Sequence, residues 1–317
     1  GKMKLDGNAA ERAIETHIAR PMGLSVEAAA AGMYRIINTN MSQGVREITV
    51  KRGLDPREFP LVAAGGAGPL HACMICHELE IPMFIVPRES SIFCAAGMLM
   101  CDLQHDFVCS FISLLGRIDW PRLRNRVEEM NREGDRMLAN ENLPPDRRRF
   151  SLKLDCRYHK QYHEVSFPIT MKVIRDRDEA AIASAFHAEH KRMYGYSLEP
   201  EGSPIELINV RLRAIGQTEK PALLEEPNAG PDTRSALKGE RRMFIPENDA
   251  FGLVGVYDGH KTHHGNHIAG PALIEQVNTS LFVSSTCDCV CDKCGSFVVY
   301  QKNRKPAFSE TLQEALP

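Results

Sequence analysis

The stretch FPLVAAGGAGPLHACMICHELEIPMFIVP, residues 59–87, limits the fold of this chain more than any other segment. Two short apolar runs flank a glycine turn and a helical pattern. That order predicts a buried strand over 61–64, a helix over 69–80 and a second strand over 83–86. Strands joined through a helix run parallel, with a right-handed crossover. The turn itself, Gly65-Gly66-Ala67-Gly68-Pro69, admits two readings. Three glycines permit a tight turn and close helix–sheet packing. The same geometry exposes backbone N–H groups at a helix N-terminus, which suits a phosphate or another anion. No Lys-Ser/Thr pair follows the last glycine, so this is not a Walker A loop, nor is it a GxGxxG fingerprint. His71 falls in the first helical turn, where it either faces a ligand or serves the helix end.

Before this unit the pattern is helical from residue 5 to 52, broken at Pro21 and Gly23, with Ser25 as the N-cap of the second helix and Gly53 as its stop. After it come a small-residue segment and a strand-like run around 107–111. Residues 119–142 form a charged amphipathic helix with Leu123, Val127, Met130 and Met137 as its apolar stripe. Pro144-Pro145 marks a boundary, beyond which alternation is that of strands, with one helix over 179–194. The expected domains are therefore an α/β half over 1–145 and a β-rich domain over 146–317. In RYHKQYHE the strand alternation would put Arg157, His159 and Gln161 on one face, and Tyr158, Lys160 and Tyr162 on the other.

A formal charge of -2 gives no electrostatic reason to expect nucleic acid or an anionic membrane as partner. No apolar run approaches the roughly 20 residues of a membrane helix, and the opening GKMKLDGNAAERAIE does not read as a secretion signal. The expected location is the cytoplasm. Six of the ten cysteines lie scattered among apolar neighbours as small hydrophobes. Cys287, Cys289, Cys291 and Cys294 are bunched in CDCVCDKCG: either they build a structural zinc site around the Cys291-x-x-Cys294 knuckle spacing, or they are free thiols. The histidines of HKTHHGNH (His260, His263, His264, His267) read as a solvated loop. Asp102, His105 and Asp106 either approach a cleft or pin a domain edge.

GKMKLDGNAAERAI, PMGLSVEAAAAG, NTNMSQGVREITVKRGLDPREFPLVAAGGAGPLHA, IPMFIVP and AAGMLMCDLQHDF occur in the order found in the hydantoinase A/5-oxoprolinase family, which the chain resembles over nearly its whole length. RYHKQYHEV, FHAEHKRMYGY and VYDG…GNHIAGPALIE resemble later segments of that family. The family includes the nucleotide-hydrolysing subunits of acetone and acetophenone carboxylases. The resemblance implies half of an actin/sugar-kinase/Hsp70-like α/β nucleotide fold followed by a β-rich α+β domain. It also implies ATP with Mg or Mn as cofactor, bound on this side by Gly65, Gly66 and Gly68, with His71 beside them. In the matched strand, Arg157, Tyr158 and Gln161 take a structural or substrate-facing role. The cysteine cluster departs from the family pattern.

The family's Asp-x-Gly-Gly-Thr turn, which grips the terminal phosphates and the metal, has no counterpart among these residues; LDGNA and YDGHK are the nearest strings. The resemblance thus covers the family's C-terminal half. It implies either a hetero-oligomer in which a partner carries that turn, with further subunits in the complex and an isolated chain that is inactive, or a fragment of a longer chain. The inner face of residues 1–115 is expected to be apolar and covered by the partner. The implied activity is phosphorylation of a lactam or imide carbonyl for hydrolysis of a small-molecule substrate. The alternatives are a ketone carboxylase subunit and a non-catalytic assembly subunit.

Overall fold

The computed structural model describes residues 6–303. These group into two compact units, one formed by residues up to Met98 together with those from Ala222 onward, the other by Leu99–Pro221. The division expected at residue 145 does not coincide with either junction. Both units mix helix and sheet.

In the first unit, helix α1 (Gly7–Ile14) continues through a π-helical turn and ends at Gly23, which adopts the left-handed conformation at φ 67°. Helix α2 (Val26–Ile48) starts where the sequence places it, with Ser25 Oγ accepting the Ala28 N–H at 3.1 Å. Strand β1 (Leu61–Val62), helix α3 (Gly68–Glu78) and strand β2 (Met83–Val86) form the expected parallel unit, with Leu61 opposite Phe84. A further helix, α4 (Phe93–Met100), occupies the small-residue segment.

The open edge of β2 is covered from far along the chain. Strand β13 (Phe297–Gln301) pairs antiparallel with β2, and β12 (Cys287–Cys291) and β9 (His267–Ala269) extend the sheet to the order β1-β2-β13-β12-β9. Because an unpaired edge leaves backbone groups without partners, this closure explains why the first unit is discontinuous in sequence. Strands β7 (Leu237–Ile245), β8 (Ala250–Asp258), β10 (Ala272–Glu275) and β11 (Ser280–Val283) make a second sheet, ordered β11-β10-β8-β7. Ala72, Cys73 and Cys76 of α3 join Phe84, Ile274, Phe282 and Val299 in one core, so the helix behind the glycine turn packs on both sheets.

The second unit is an antiparallel sheet, β3-β6-β4-β5, of β3 (Leu103–Leu114), β6 (Ile205–Gly216), β4 (Arg148–Tyr158) and β5 (Val165–Ile169). Helices α5 (Trp120–Asn140), α6 (Met171–Asp176) and α7 (Glu179–Tyr194) accompany it. The buried stripe of α5 is Leu123, Val127, Met130, Gly134 and Leu138; Leu138 rather than Met137 points inward, as the 3.6-residue period requires from Gly134. At Gly134 a Cβ would lie 2.8 Å from that of Ala214 on β6, so the absence of a side chain sets how closely helix and sheet approach. This contact, which places α5 on β6, is why a boundary at 145 would cut through a core.

Candidate functional site

The turn after β1 is built by three glycines for three different reasons. Gly65 has φ 90°, a conformation that costs other residues strain, and donates its N–H to Ser90 O at 2.6 Å. A Cβ on Gly66 would lie 3.0 Å from the Asn278 carbonyl oxygen, and Thr279 Oγ1 donates to Gly66 O at 2.9 Å. Gly68 opens α3 and faces open space, with no atom beyond its chain neighbours and its own helix backbone within 4 Å of where a Cβ would stand. The helix it starts has no side-chain cap. The other three helices of more than ten residues among the described ones are each capped, by Ser25, Asp119 and Asp178. Pro69 has no N–H and the Leu70 N–H bonds Ala67 O at 3.1 Å, so the donor that this uncapped first turn offers, beside the positive end of the helix dipole, is the Gly68 amide.

His71 is held by groups that the sequence did not single out. Asn38, buried on α2, donates its Nδ2 to Tyr34 O at 2.7 Å, which directs its Oδ1 at His71 Nδ1, 3.0 Å away. The imidazole therefore carries its proton on Nδ1 and keeps a lone pair on Nε2. Its ring stacks on Tyr34 with centroids 5.4 Å apart, and Tyr34 donates its hydroxyl to Leu70 O at 2.8 Å. Burial pushes the Tyr34 pKa up to about 12 and the His71 pKa down. Tyr34 and Asn38 are one helical turn apart on α2; that i, i+4 spacing was the available signal for a shared face.

The lowered His71 pKa fixes a pH response. Below its ordinary value of 6.5 the unfolded chain takes up a proton that the folded chain resists, so stability present above pH 6.5 is lost as the pH falls toward the depressed value. We expect the melting temperature to drop on acidification from pH 7 to 5, and His71→Phe to remove part of that drop. A pH dependence identical in both proteins would contradict it. His187, also lowered by burial, contributes with the same sign and remains in the variant.

The four candidate zinc ligands are not brought together. Cys287, Cys289 and Cys291 alternate along β12, all buried, with neighbours on that row about 6.7 Å apart, whereas thiolates sharing one zinc lie roughly 4 Å apart. Cys287 engages Cys73 of α3, whose hydrogen bond holds the Cys287 thiol pKa down, while burial raises that of Cys289 well above its usual range. Cys294 lies in the following turn, its N–H bonded to Asp292. Among the described residues no group of three or more His, Cys, Asp or Glu side chains could hold a metal ion. Cys287, Cys289 and Cys291 are buried strand residues, and Cys294 is half-buried in the turn.

The remaining candidates are tied into local structure. His263 and His264 bond to Glu226, which also pairs with Arg88, and His267 pairs with Asp288. Asp102 accepts from Thr218 N–H and Lys220, His105 meets Glu141, and Asp106 holds Arg213 through two bonds of 2.6 and 3.0 Å. Strand β4 ends at Tyr158 and turns at Lys160, where φ is 70°, so His159 and Gln161 do not continue its faces. Tyr158 is wholly structural in its contacts. It meets His187 Nδ1 at 2.7 Å and accepts from Leu198 N–H at 2.7 Å.

One surface stands out beside the turn. Helix α2 buries only Ala29, Ala31, Asn38 and Ser42, while Met33, Ile36, Ile37 and Ile48 are exposed by 45%, 65%, 45% and 61%. These four apolar residues thus face away from this chain's own core, while Met41 and Val45 of the same helix pack against it.

Comparison with known proteins decides the family. The hydantoinase/oxoprolinase profile matches residues 1–107, and that of the hydantoinase/oxoprolinase C-terminal domain matches residues 120–301. The chain belongs to the hydantoinase/oxoprolinase family. Within it, the caprolactamase alpha subunit of Pseudomonas jessenii is 31% identical over 89% of this chain and 41% of its own length. The acetophenone carboxylase gamma subunit of Aromatoleum aromaticum is 29% identical over 89% of this chain and 40% of its own length. Among solved structures, the ATP-dependent caprolactamase of Pseudomonas jessenii superposes with a TM-score of 0.72 at 29% identity, and nucleotide-free acetone carboxylase with 0.80 at 24%. Each alignment covers 95% of this chain and 44% of the other. The chain therefore spans about two fifths of the length of these relatives. Among the described residues no helix is long and apolar enough to cross a membrane.

Proposed function

We propose that this chain supplies one side of the nucleotide cleft in an ATP-dependent ring-amide hydrolase, and that a partner region carrying the Asp-x-Gly-Gly-Thr turn, on another subunit or on the same polypeptide, supplies the other. The observation that carries this reading is the glycine turn feeding an uncapped α3, in a chain of the hydantoinase/oxoprolinase family. ATP, when bound, supplies the phosphoryl group that converts a carbonyl oxygen into a leaving group, and Mg or Mn would neutralise its phosphates from the partner's side.

What this chain does is bind and orient. The bare Gly68 lets an anionic group approach its own amide at the start of α3 without steric conflict, and Gly66 keeps the turn close to the Asn278 loop. Fixed donors of this kind need no reorganisation when charge arrives. His71, neutral and held through Nδ1, presents an acceptor beside the turn. The exposed apolar residues of α2 support a covering subunit, and the relatives named above are themselves subunits.

A ketone carboxylase subunit is the second reading, favoured by the likeness to the acetophenone and acetone carboxylase subunits. A non-catalytic assembly subunit is the third. The deciding assay is ATP hydrolysis by the complex purified with its partner, challenged with 5-oxoproline, hydantoin and caprolactam, or with acetone plus bicarbonate. The first reading predicts stimulation by a cyclic amide. Stimulation only by ketone plus bicarbonate selects the second, and no nucleotide turnover under any condition selects the third.

A further inference from the structure

Helix α2, the first turn of α3 and the hairpin of β7 and β8 enclose a cleft of about 340 Å³, a volume within the range of small-molecule sites. Tyr34, Leu70, His71, Phe244, Phe251 and Phe282 line it, and no charged residue does. Its outer wall is held to α2 by the Arg35–Asp249 ion pair, with the Arg35 guanidinium also lying over the Phe244 ring. A phosphate or carboxylate entering such a cleft would lose its water without gaining a charged partner. The polar groups at its floor are largely spent: the Tyr34 hydroxyl on Leu70 O, and His71 Nδ1 on Asn38. His71 Nε2 has no partner among the described residues and is an acceptor.

We propose that this cleft binds the uncharged ring of a cyclic amide, with the ring N–H donating to His71 Nε2. The proposal rests on the ring-amide reading above and deepens it by naming the recognition element. Aromatic side chains supply faces against which a small ring packs. The lone acceptor supplies selectivity, because a site built to receive one N–H discriminates against an analogue that lacks it. Bicarbonate is charged, and a simple ketone brings no N–H donor, so neither matches these walls and this acceptor. His71 is the binding residue; Asn38 and Tyr34 position it.

The test titrates 2-piperidone and N-methyl-2-piperidone into the full chain carrying ¹³C-methyl methionine, followed at Met243 in the cleft wall. The expected result is that the N–H lactam binds about tenfold more tightly than its N-methyl analogue. His71→Phe, which keeps a flat ring against Tyr34, should erase that preference, and Ala30→Leu, which fills the cleft, should abolish binding of both. Equal affinities in the unsubstituted chain would overturn the proposal, and this comparison stands even where a variant fails to fold. Competitive displacement by ATP would also overturn it, making the cleft a nucleobase pocket, as would occlusion on adding the partner subunit. None of these readouts requires turnover. Absence of amide-stimulated ATP hydrolysis in the complex counts against the functional reading, whereas loss of the N–H preference counts against the cleft.

Discussion

Replacing Gly68 with valine is expected to lower nucleotide turnover by the partnered enzyme about 100-fold while leaving the chain's own stability within roughly 0.5 kcal/mol. The two halves of this expectation come from one fact. No atom beyond its chain neighbours and its own helix backbone lies within 4 Å of the position a Cβ would take, and the backbone there is not left-handed, so the fold has room for the side chain. The space it would fill is the approach to the Gly68 amide at the start of an uncapped helix. Gly66 would be a poorer probe, since a Cβ there meets the Asn278 carbonyl and the fold itself would respond. ATP hydrolysis and thermal melting of Gly68→Val, measured together, separate the two effects. Unchanged turnover would mean that the turn serves packing alone.

The second large effect concerns the units. Phe186 on α7 is fully buried and packs on Tyr158 and Phe167 in the sheet of the second unit. Phe186→Ala is expected to destabilise that unit by about 3–5 kcal/mol. Hydrogen exchange gives the sharper reading. Amides of α5, β4 and β6 should lose protection together, while those of α3 and β13 keep theirs, because the first unit has its own core. A boundary at residue 145 would instead group α5 with α3. Protection lost in α3 but retained in α5 would contradict the division at Met98 and Pro221.

The sequence made the local elements legible and concealed their assembly. β1, α3 and β2 appear where periodicity places them, and Ser25 caps α2 as its side chain suggests. These are properties of short windows, set by apolar spacing and cap chemistry. The pairing of β13 with β2 joins residues more than two hundred positions apart. No local pattern announces which distant strand will cover an open edge, and the grouping of residues from Ala222 onward with those up to Met98 was not legible for that reason. The cysteines mislead in a related way. CDCVCDKCG resembles a ligand cluster only while its conformation is unspecified; once Cys287–Cys291 is extended, its thiols spread along a buried strand.

The site was partly visible. Glycine spacing pointed to Gly65, Gly66 and Gly68, and the structure gives each a distinct reason. His71 was visible as a residue type at a helix start, but its tautomer was not, because that depends on Asn38, thirty-three residues earlier and oriented by its own helix. Tyr158 shows the converse. A residue matching a family strand turns out to be engaged by Leu198 and His187 inside its own unit, a structural part of the fold.

The central claim is that these residues supply only one side of the nucleotide site, the other coming from the partner region that carries Asp-x-Gly-Gly-Thr. Calorimetric titration of ATP into this chain, into the partner carrying Asp-x-Gly-Gly-Thr, and into their mixture tests it most directly. The expected result is tight binding of one nucleotide per pair in the mixture, with each component alone binding at least about 100-fold more weakly. ATP binding by this chain alone, as tight as that of the mixture, would contradict it.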